Sequence, residues 1–452
     1  MNEQALRIEG DTNTTKERQE WNSLLCDSTL DILNEDAKYF LKQSLSTPCM
    51  NSIAECDGVF IVDDAGKRYF DFHGNSVHQL GYNNRYIIDR VQRQMNTLSF
   101  SPRRYANKIA AECAKRLTDL SPIKNSRVLF TTGGASSISV ALKIARVYTS
   151  RYKTISMYDS FHGANIDSIS IGGEQLFRNG IGPLVPGAIH VPALDTYRGF
   201  MGIGKYPNCE EILLDTIRYK IEKEGDIAAL IAEPIRSTSV HVPSKGFWSE
   251  VKRVCSANGV LLIFDEVPTS MGRTGKLFAT ENFDVEPDMI VLGKGLAAGV
   301  VPFSAVIADA RLDVAEDVAL GHYTFEKNPV AAQATLASLD YIEEFDILNI
   351  CSKKSSYMKS RLEAMKDKFD SIGDVRGIGM HWGVEIVKDR VSREGDNDKA
   401  SRIFYSCLKD GLSFKLSSGS VITLAPPLII TQEQLDESLT ILERAINREN
   451  IN

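Results

Sequence analysis

An α/β chain, with a large domain whose mostly parallel sheet lies between helices and a smaller α/β C-terminal domain, is predicted by three features. Short apolar runs at 128–130, 154–157, 229–231, 261–264, 289–292 and 304–307 alternate with helical patterns between Tyr105 and about Thr335. The runs at 261–264 and 289–292 are continuously apolar, as strands covered on both faces are. Both end in ionisable residues. Asp265 and Glu266 follow the first, and Lys294, between Gly293 and Gly295, follows the second. In open α/β sheets, ligands sit outside the carboxyl ends of strands. Fold and site are therefore predicted together.

Taken in order, residues 1–75 form an N-terminal segment expected to pack with the small domain. Its first 30 or so residues are polar and weakly patterned, and a helix is expected over 33–45, stopped before Pro48. The stretch 58–75 reads as a hairpin: Val59, Ile61 and Tyr69 lie on extended runs and Asp64-Ala65-Gly66 makes the turn. Residues 76–335 form the large domain, helical from Ile87. Within it, Gly133 and Gly134 join a strand to a helix. Ile138, Ala141, Leu142 and Ala145 recur there at i, i+3, i+4 and i+7, so the helix is expected to bury one face. The free N–H groups of its first turn favour an anion. Residues 336–452 form the small domain: a long helical stretch, a strand region over 373–387, a charged loop near 390–399 and a closing α/β segment. No repeat or low-complexity segment interrupts the chain.

Composition excludes several classes of function. Among 452 residues, 43% are hydrophobic and 25% charged, which is ordinary for a globular chain. A net charge of −7 without a basic stripe argues against nucleic acid as a partner. The eight cysteines form no C-x-x-C pair, so the usual zinc spacings are missing and reduced thiols in the cytoplasm are expected. No metal is expected. No apolar run reaches membrane-spanning length, and the polar N-terminus lacks a signal-peptide core.

The two strand ends have specific chemical uses. An amine flanked by glycines reaches a carbonyl carbon with little obstruction, as Schiff-base formation requires. A buried aspartate can keep a pyridinium nitrogen protonated, making the ring an electron sink. Taken singly, Asp265 suits a turn cap and Lys294 a solvated surface lysine. Together, the words DEVPTSMGRTG and PDMIVLGKGLAAG resemble the signature of class III (omega) aminotransferases and their relatives. These are pyridoxal 5'-phosphate (PLP) enzymes of fold type I, and the resemblance runs from about Gly58 to Thr431. It implies that Lys294 carries PLP, that Asp265 binds the pyridine nitrogen, and that Val267 packs behind the ring. It also implies phosphate binding by the backbone at Gly134 and Ala135. Phe161 matches the aromatic that stacks on the ring, in an aromatic-His-Gly word with His162, and Glu233 matches a carboxylate close to the ring. Thr324, in HYTFEKNP, matches a threonine that reaches the phosphate of the neighbouring subunit. A homodimer with shared active sites is thereby implied.

Departures from the family pattern bear on the substrate. Gly74 stands one residue earlier than the family's "DF-x-x-G" step, Ser136 replaces a glutamate, and Glu326 and Lys327 replace two glycines. Pro268 and Arg236 each replace a glutamine. Where glutamate-using members pair a glutamate with an arginine that takes the α-carboxylate, Thr238 and Thr423 stand. Losing both together leaves no unpaired charge. The cations Arg103, Arg104 (before Tyr105), Arg236 and Lys415 would, as a set, suit a phosphonate or phosphate ester. The resemblance thus implies a PLP-dependent lyase of the ammonia-lyase branch. It would eliminate from a small hydroxylated aminophosphonate, such as 1-hydroxy-2-aminoethylphosphonate, to give phosphonoacetaldehyde and ammonia. The alternative is an ω-aminotransferase passing the amino group to pyruvate or another keto acid. A non-catalytic protein of this fold is opposed by the intact Lys294 and Asp265.

Overall fold

A computed structural model describes residues 15–43, 49–199 and 208–451. The chain divides into two compact units. One combines residues 1–84, 238–240 and 349–452; the other combines 85–237 and 241–348.

At the N-terminus of the first unit, a helix runs Asp27–Tyr39, earlier than the 33–45 expected. Asp27 lies in its first turn and Lys38 in its last, both favourable to the helix dipole, and Phe40 turns extended and ends it. Ser44 and Leu45 lie outside the described residues. The antiparallel strands β1 (Ile53–Asp57), β2 (Phe60–Asp63) and β3 (Arg68–Asp71) follow. The β2–β3 turn closes because the Asp63 carboxylate accepts the N–H groups of Ala65 (3.1 Å) and Lys67 (2.9 Å).

The second unit is built on seven strands: β4 (Ser126–Thr131), β5 (Lys153–Met157), β6 (Ala188–Val191), β7 (Ile227–Ala232), β8 (Leu261–Asp265), β9 (Met289–Leu292) and β10 (Ser304–Asp309). Their order is β4-β10-β9-β8-β7-β5-β6. β10 alone runs opposite to the other six strands. Strands β7, β8 and β9 are buried at every residue, which explains their unbroken apolar runs. The edge strand β6 was not expected; it is only four residues long, and His190 interrupts its apolar run.

Helix Gly134–Thr149 packs on this sheet through Ile138, Ala141, Leu142 and Ala145, in one cluster with Ile231, Ile263 and Val291. The single buried face expected here is corrected: Val140 and Ile144 are buried too. Ile171, Leu312, Leu320 and Tyr323 join the same cluster and cover further sides. Each such fully buried aliphatic side chain contributes about 1.5–3 kcal/mol.

The boundary expected at residue 335 falls inside helix Pro329–Glu344. Asn328 caps that helix by accepting from Val330 (2.9 Å) and Ala331 (3.1 Å). The helix packs on helices Arg85–Thr97 and Lys108–Leu120, so the unit continues to Leu348. Residues 76–84 belong to the first unit, where the backbones of Gly58 and Tyr82 bond to each other and Leu428 N–H donates to the Gln79 carbonyl.

The first unit is completed by β11 (Ile372–Ile378), β12 (His381–Ile386), β13 (Leu412–Ser413), β14 (Lys415–Ser417) and β15 (Val421–Leu424). Four of these make an antiparallel sheet, β11-β12-β15-β14, while β13 pairs parallel with β3. Residues 238–240 are tied to this sheet. Thr423 Oγ1 donates to the Thr238 carbonyl (2.8 Å) and Arg376 Nε to the Ser239 carbonyl (2.9 Å). Arg376 also pairs with Glu385 (2.8 Å) and Asp374 (3.1 Å), so its charge is offset within the sheet.

Candidate functional site

At the end of β8, the Asp265 side chain is buried. Its Oδ1 accepts the Val267 N–H (3.1 Å) and its Oδ2 lies 2.8 Å from His162 Nδ1. Glu266, fully buried, turns the other way and accepts the N–H groups of Ala279 (2.5 Å) and Thr280 (2.8 Å), fixing the loop beyond β8. Burial pushes its carboxyl up to about 8, against those two donors. Glu233, at the end of β7, accepts the Ser237 N–H (2.8 Å). Burial raises its pKa most, with His162 lowering it and Asp265 raising it.

Lys294 stands at the end of β9 with φ +45°, a left-handed backbone that side-chain-bearing residues seldom adopt. Such strain concentrates at functional sites. Gly293 before it is tightly packed: a Cβ there would lie 3.2 Å from Val267 and from Ser304. Val267 likewise faces Gly134, where a Cβ would come within 3.2 Å of it. Thus Val267 meets both the helix start at Gly134 and the strand end before Lys294. Gly163 explains the third element of the aromatic-His-Gly word. With φ +120°, its backbone passes so close to Ala135 that a Cβ would sit 2.5 Å from the Ala135 Cβ. His162 and the start of helix Gly134–Thr149 are therefore held by one contact.

Pyridoxal phosphate fits these residues. The helix N-terminus beginning at Gly134 has no side-chain cap, and a Cβ on Gly133 would meet nothing within 4 Å, so its backbone is open to a phosphate. Asp265 offers a buried carboxylate for the ring nitrogen, Val267 an apolar wall, and Lys294 an amine. The sequence reading named His162 without pairing it to Asp265, because residues 103 positions apart carry no sequence sign of contact. It assigned no role to Glu266, although the Asp-Glu word was visible.

Other expected residues lie in different settings. Phe161 packs on Phe177 (centroids 4.5 Å apart). Arg236 lies 3.7 Å from an Asp159 oxygen and 4.0 Å from a Glu174 oxygen, so carboxylates already flank its charge. Arg103 donates to His322 Nε2 (2.8 Å) and lies 3.9 Å from Glu326. Arg104 and Tyr105 are exposed. With Asn107 donating to the Lys327 carbonyl (2.9 Å) and Tyr323 to the Ser136 carbonyl (3.4 Å), the 321–328 loop is anchored and Thr324 stands exposed. In the other unit, Lys415 is the cross-strand partner of Thr423. No metal-ligating group of three or more side chains occurs among the described residues.

Comparison with known proteins agrees with this chemistry. The chain is 44% identical, over 97% of its length and 95% of the relative's, to an (R)-1-hydroxy-2-aminoethylphosphonate ammonia-lyase of Vibrio splendidus. It is 33% identical to an alanine/serine racemase of Pyrococcus horikoshii, over 86% of this chain and 84% of that one. Among solved structures, a taurine:2-oxoglutarate aminotransferase of Bifidobacterium kashiwanohense, in complex with PLP and glutamate, superposes with a TM-score of 0.88. Its identity is 30%, covering 94% of this chain and 98% of that chain. The family model for aminotransferase class-III matches residues 42–446. The chain belongs to the class III aminotransferase family, PLP-dependent enzymes of fold type I.

Proposed function

We propose that this chain is a PLP-dependent ammonia-lyase acting on a small hydroxylated aminophosphonate such as 1-hydroxy-2-aminoethylphosphonate. The observation that carries this reading is the 44% identity to the Vibrio splendidus lyase over 97% of the chain. The hydroxyl-to-carbonyl bond between Thr423 and Thr238 supports it, since neither position supplies a charge for a dicarboxylate acceptor.

Bound PLP supplies an electron sink for the bonds at the carbon bearing the substrate amine. Lys294 would hold the cofactor, and its Nζ would be the base that takes the proton from that carbon. Asp265 would take the ring nitrogen, Val267 and Phe161 would pack on the ring with Glu233 nearby, and the first-turn N–H groups at Gly134 and Ala135 would hold the phosphate. Loss of the proton and of the hydroxyl on the neighbouring carbon gives phosphonoacetaldehyde and ammonia once water adds. The water lost equals the water gained, and no amino acceptor is consumed. The cations Arg103, Arg104 and Arg236, with Tyr105, are assigned to the phosphonate.

Thr324 is assigned to the phosphate of a neighbouring copy in a homodimer. Its exposure next to Phe325, which is itself exposed and packs edge-on against the exposed Phe100, supports a surface to be covered. Sedimentation showing an active monomer would remove that assignment. Eight free thiols suit the reducing cytoplasm, and no helix among the described residues is long and apolar enough to cross a membrane.

The test of the reaction is to supply the aminophosphonate to the holoenzyme and follow aldehyde and ammonia, with and without 2-oxoglutarate. The keto acid should change neither rate. Stoichiometric glutamate would make the chain a transaminase.

A further inference from the structure

Between the aromatic-His-Gly word and β6 the chain carries one more arginine, Arg178, at the end of the short helix Gln175–Arg178. Its side chain is half-buried, and its Nε is sealed from solvent without a hydrogen-bond partner. No carboxylate pairs with it among the described residues. Glu174, four residues earlier, lies 4.0 Å from Arg236 instead, and Asp159 lies 3.7 Å from the same Arg236. The charge of Arg236 is thus offset twice, and that of Arg178 is not. A guanidinium nitrogen shut away from water without an acceptor is costly and gains from meeting an anion.

The segment that carries Arg178 is fixed against the end of β5. The N–H groups of Gly173 and Glu174 both donate to the Ser160 carbonyl (2.8 and 3.3 Å). A Cβ on Gly173 would lie 2.3 Å from the Met157 carbonyl oxygen, so only glycine allows this approach. Ser156 Oγ donates to the Ile171 carbonyl, and His190 Nε2 lies 3.0 Å from the Gly172 carbonyl. Phe177, next to Arg178, sets its ring 4.5 Å from that of Phe161, the residue matched to the face of the cofactor ring. The electrostatics agree with this placement. Burial lowers the pKa of His190 most, and the charges of Arg178 and His162 lower it further, so both act on one imidazole.

We propose that Arg178 is a binding residue for the phosphonate of the substrate, its guanidinium fork taking two of the phosphonate oxygens. This rests on the reading of the substrate as an aminophosphonate, and it adds Arg178 to the cations assigned to that group. A planar fork with no competing carboxylate suits a tetrahedral dianion better than Arg236, whose charge is already shared. The fork should therefore count for more with a phosphonate than with the singly charged carboxylate of an amino acid.

The experiment measures, by calorimetry on the holoenzyme, binding of 2-aminoethylphosphonate, which lacks the leaving hydroxyl, and of its carboxylate counterpart 3-aminopropanoate. Arg178→Gln and Arg178→Met are compared with wild type, and melting curves and PLP absorption establish that each is folded and loaded. Both variants should bind the phosphonate about 10–100-fold less tightly, the worth of a hydrogen bond to a charged group. The carboxylate should be affected far less, and the PLP absorption should not change. Either folded variant with wild-type phosphonate affinity overturns the proposal, as does an equal loss for both ligands. Ammonia release from 1-hydroxy-2-aminoethylphosphonate separates the role of Arg178 from the reading it rests on. If wild type releases ammonia while the variants bind like wild type, the role of Arg178 is wrong and the lyase stands. If wild type releases none while the variants lose phosphonate binding, the reaction is wrong and Arg178 stands.

Discussion

Two places in this chain meet the problem of buried polarity in opposite ways. At the ends of β7 and β8, ionisable groups are kept inside: Asp265 against His162, with Glu233 raised by burial close to both. In the sheet of the other unit, positions 423 and 238 are joined by a threonine hydroxyl and a backbone carbonyl, with no charge at either. The first arrangement is costly to build and to alter, because removing one partner strands a buried charge. The second is a neutral bond worth about 1 kcal/mol net. The difference teaches which part of the chemistry is fixed. Acids at the ends of β7 and β8 are tied to buried partners, whereas the bond between positions 423 and 238 can be exchanged without stranding a charge.

This contrast predicts a ranking of effects. Lys294→Ala should abolish the visible absorption of attached PLP and reduce turnover by more than about 10³-fold, since attachment and proton removal both fail. Absorption and turnover that persist would place the chemistry on another lysine. Asp265→Asn should keep the fold and slow turnover by about 10²–10³-fold, as loss of one preorganised electrostatic partner does; an unchanged rate would show that the buried charge is not used. Gly163→Ala should destabilise the chain by about 1–3 kcal/mol through overpacking against Ala135, visible as a lower denaturation midpoint with weaker PLP retention. A neutral result would loosen the link between the histidine turn and the helix that starts at Gly134. The smallest effect belongs to the neutral region. Thr423→Val should cost about 1 kcal/mol in unfolding experiments and leave the PLP absorption unchanged; a shifted absorption would erase the contrast.

The strand ends that carry Asp265 and precede Lys294 were legible in the sequence because they depend on short words with local causes. Strands β8 and β9 could be read from unbroken apolar runs, and their ends from the abrupt change to charged and glycine residues. The positive φ of Lys294 and the tight packing of Val267 between Gly134 and Gly293 were not legible. They depend on three separate strand and helix ends meeting. The edge strand β6 escaped notice because it is short and His190 interrupts its apolar run. The pairing of Thr423 with the Thr238 backbone was likewise invisible: the absent charges were readable, but a carbonyl acceptor has no side-chain signature. Arg236 shows the limit most clearly. Its charge could be read, but not its placement near Asp159 and Glu174.

The central claim is that the cofactor returns to its starting form without an amino acceptor. The direct measurement is the number of ammonia molecules released per subunit from 1-hydroxy-2-aminoethylphosphonate when no keto acid is present. The account predicts continued release to many equivalents, matched one to one by phosphonoacetaldehyde. Release of no ammonia, with a single equivalent of aldehyde and restart only when pyruvate or 2-oxoglutarate is added, would contradict it.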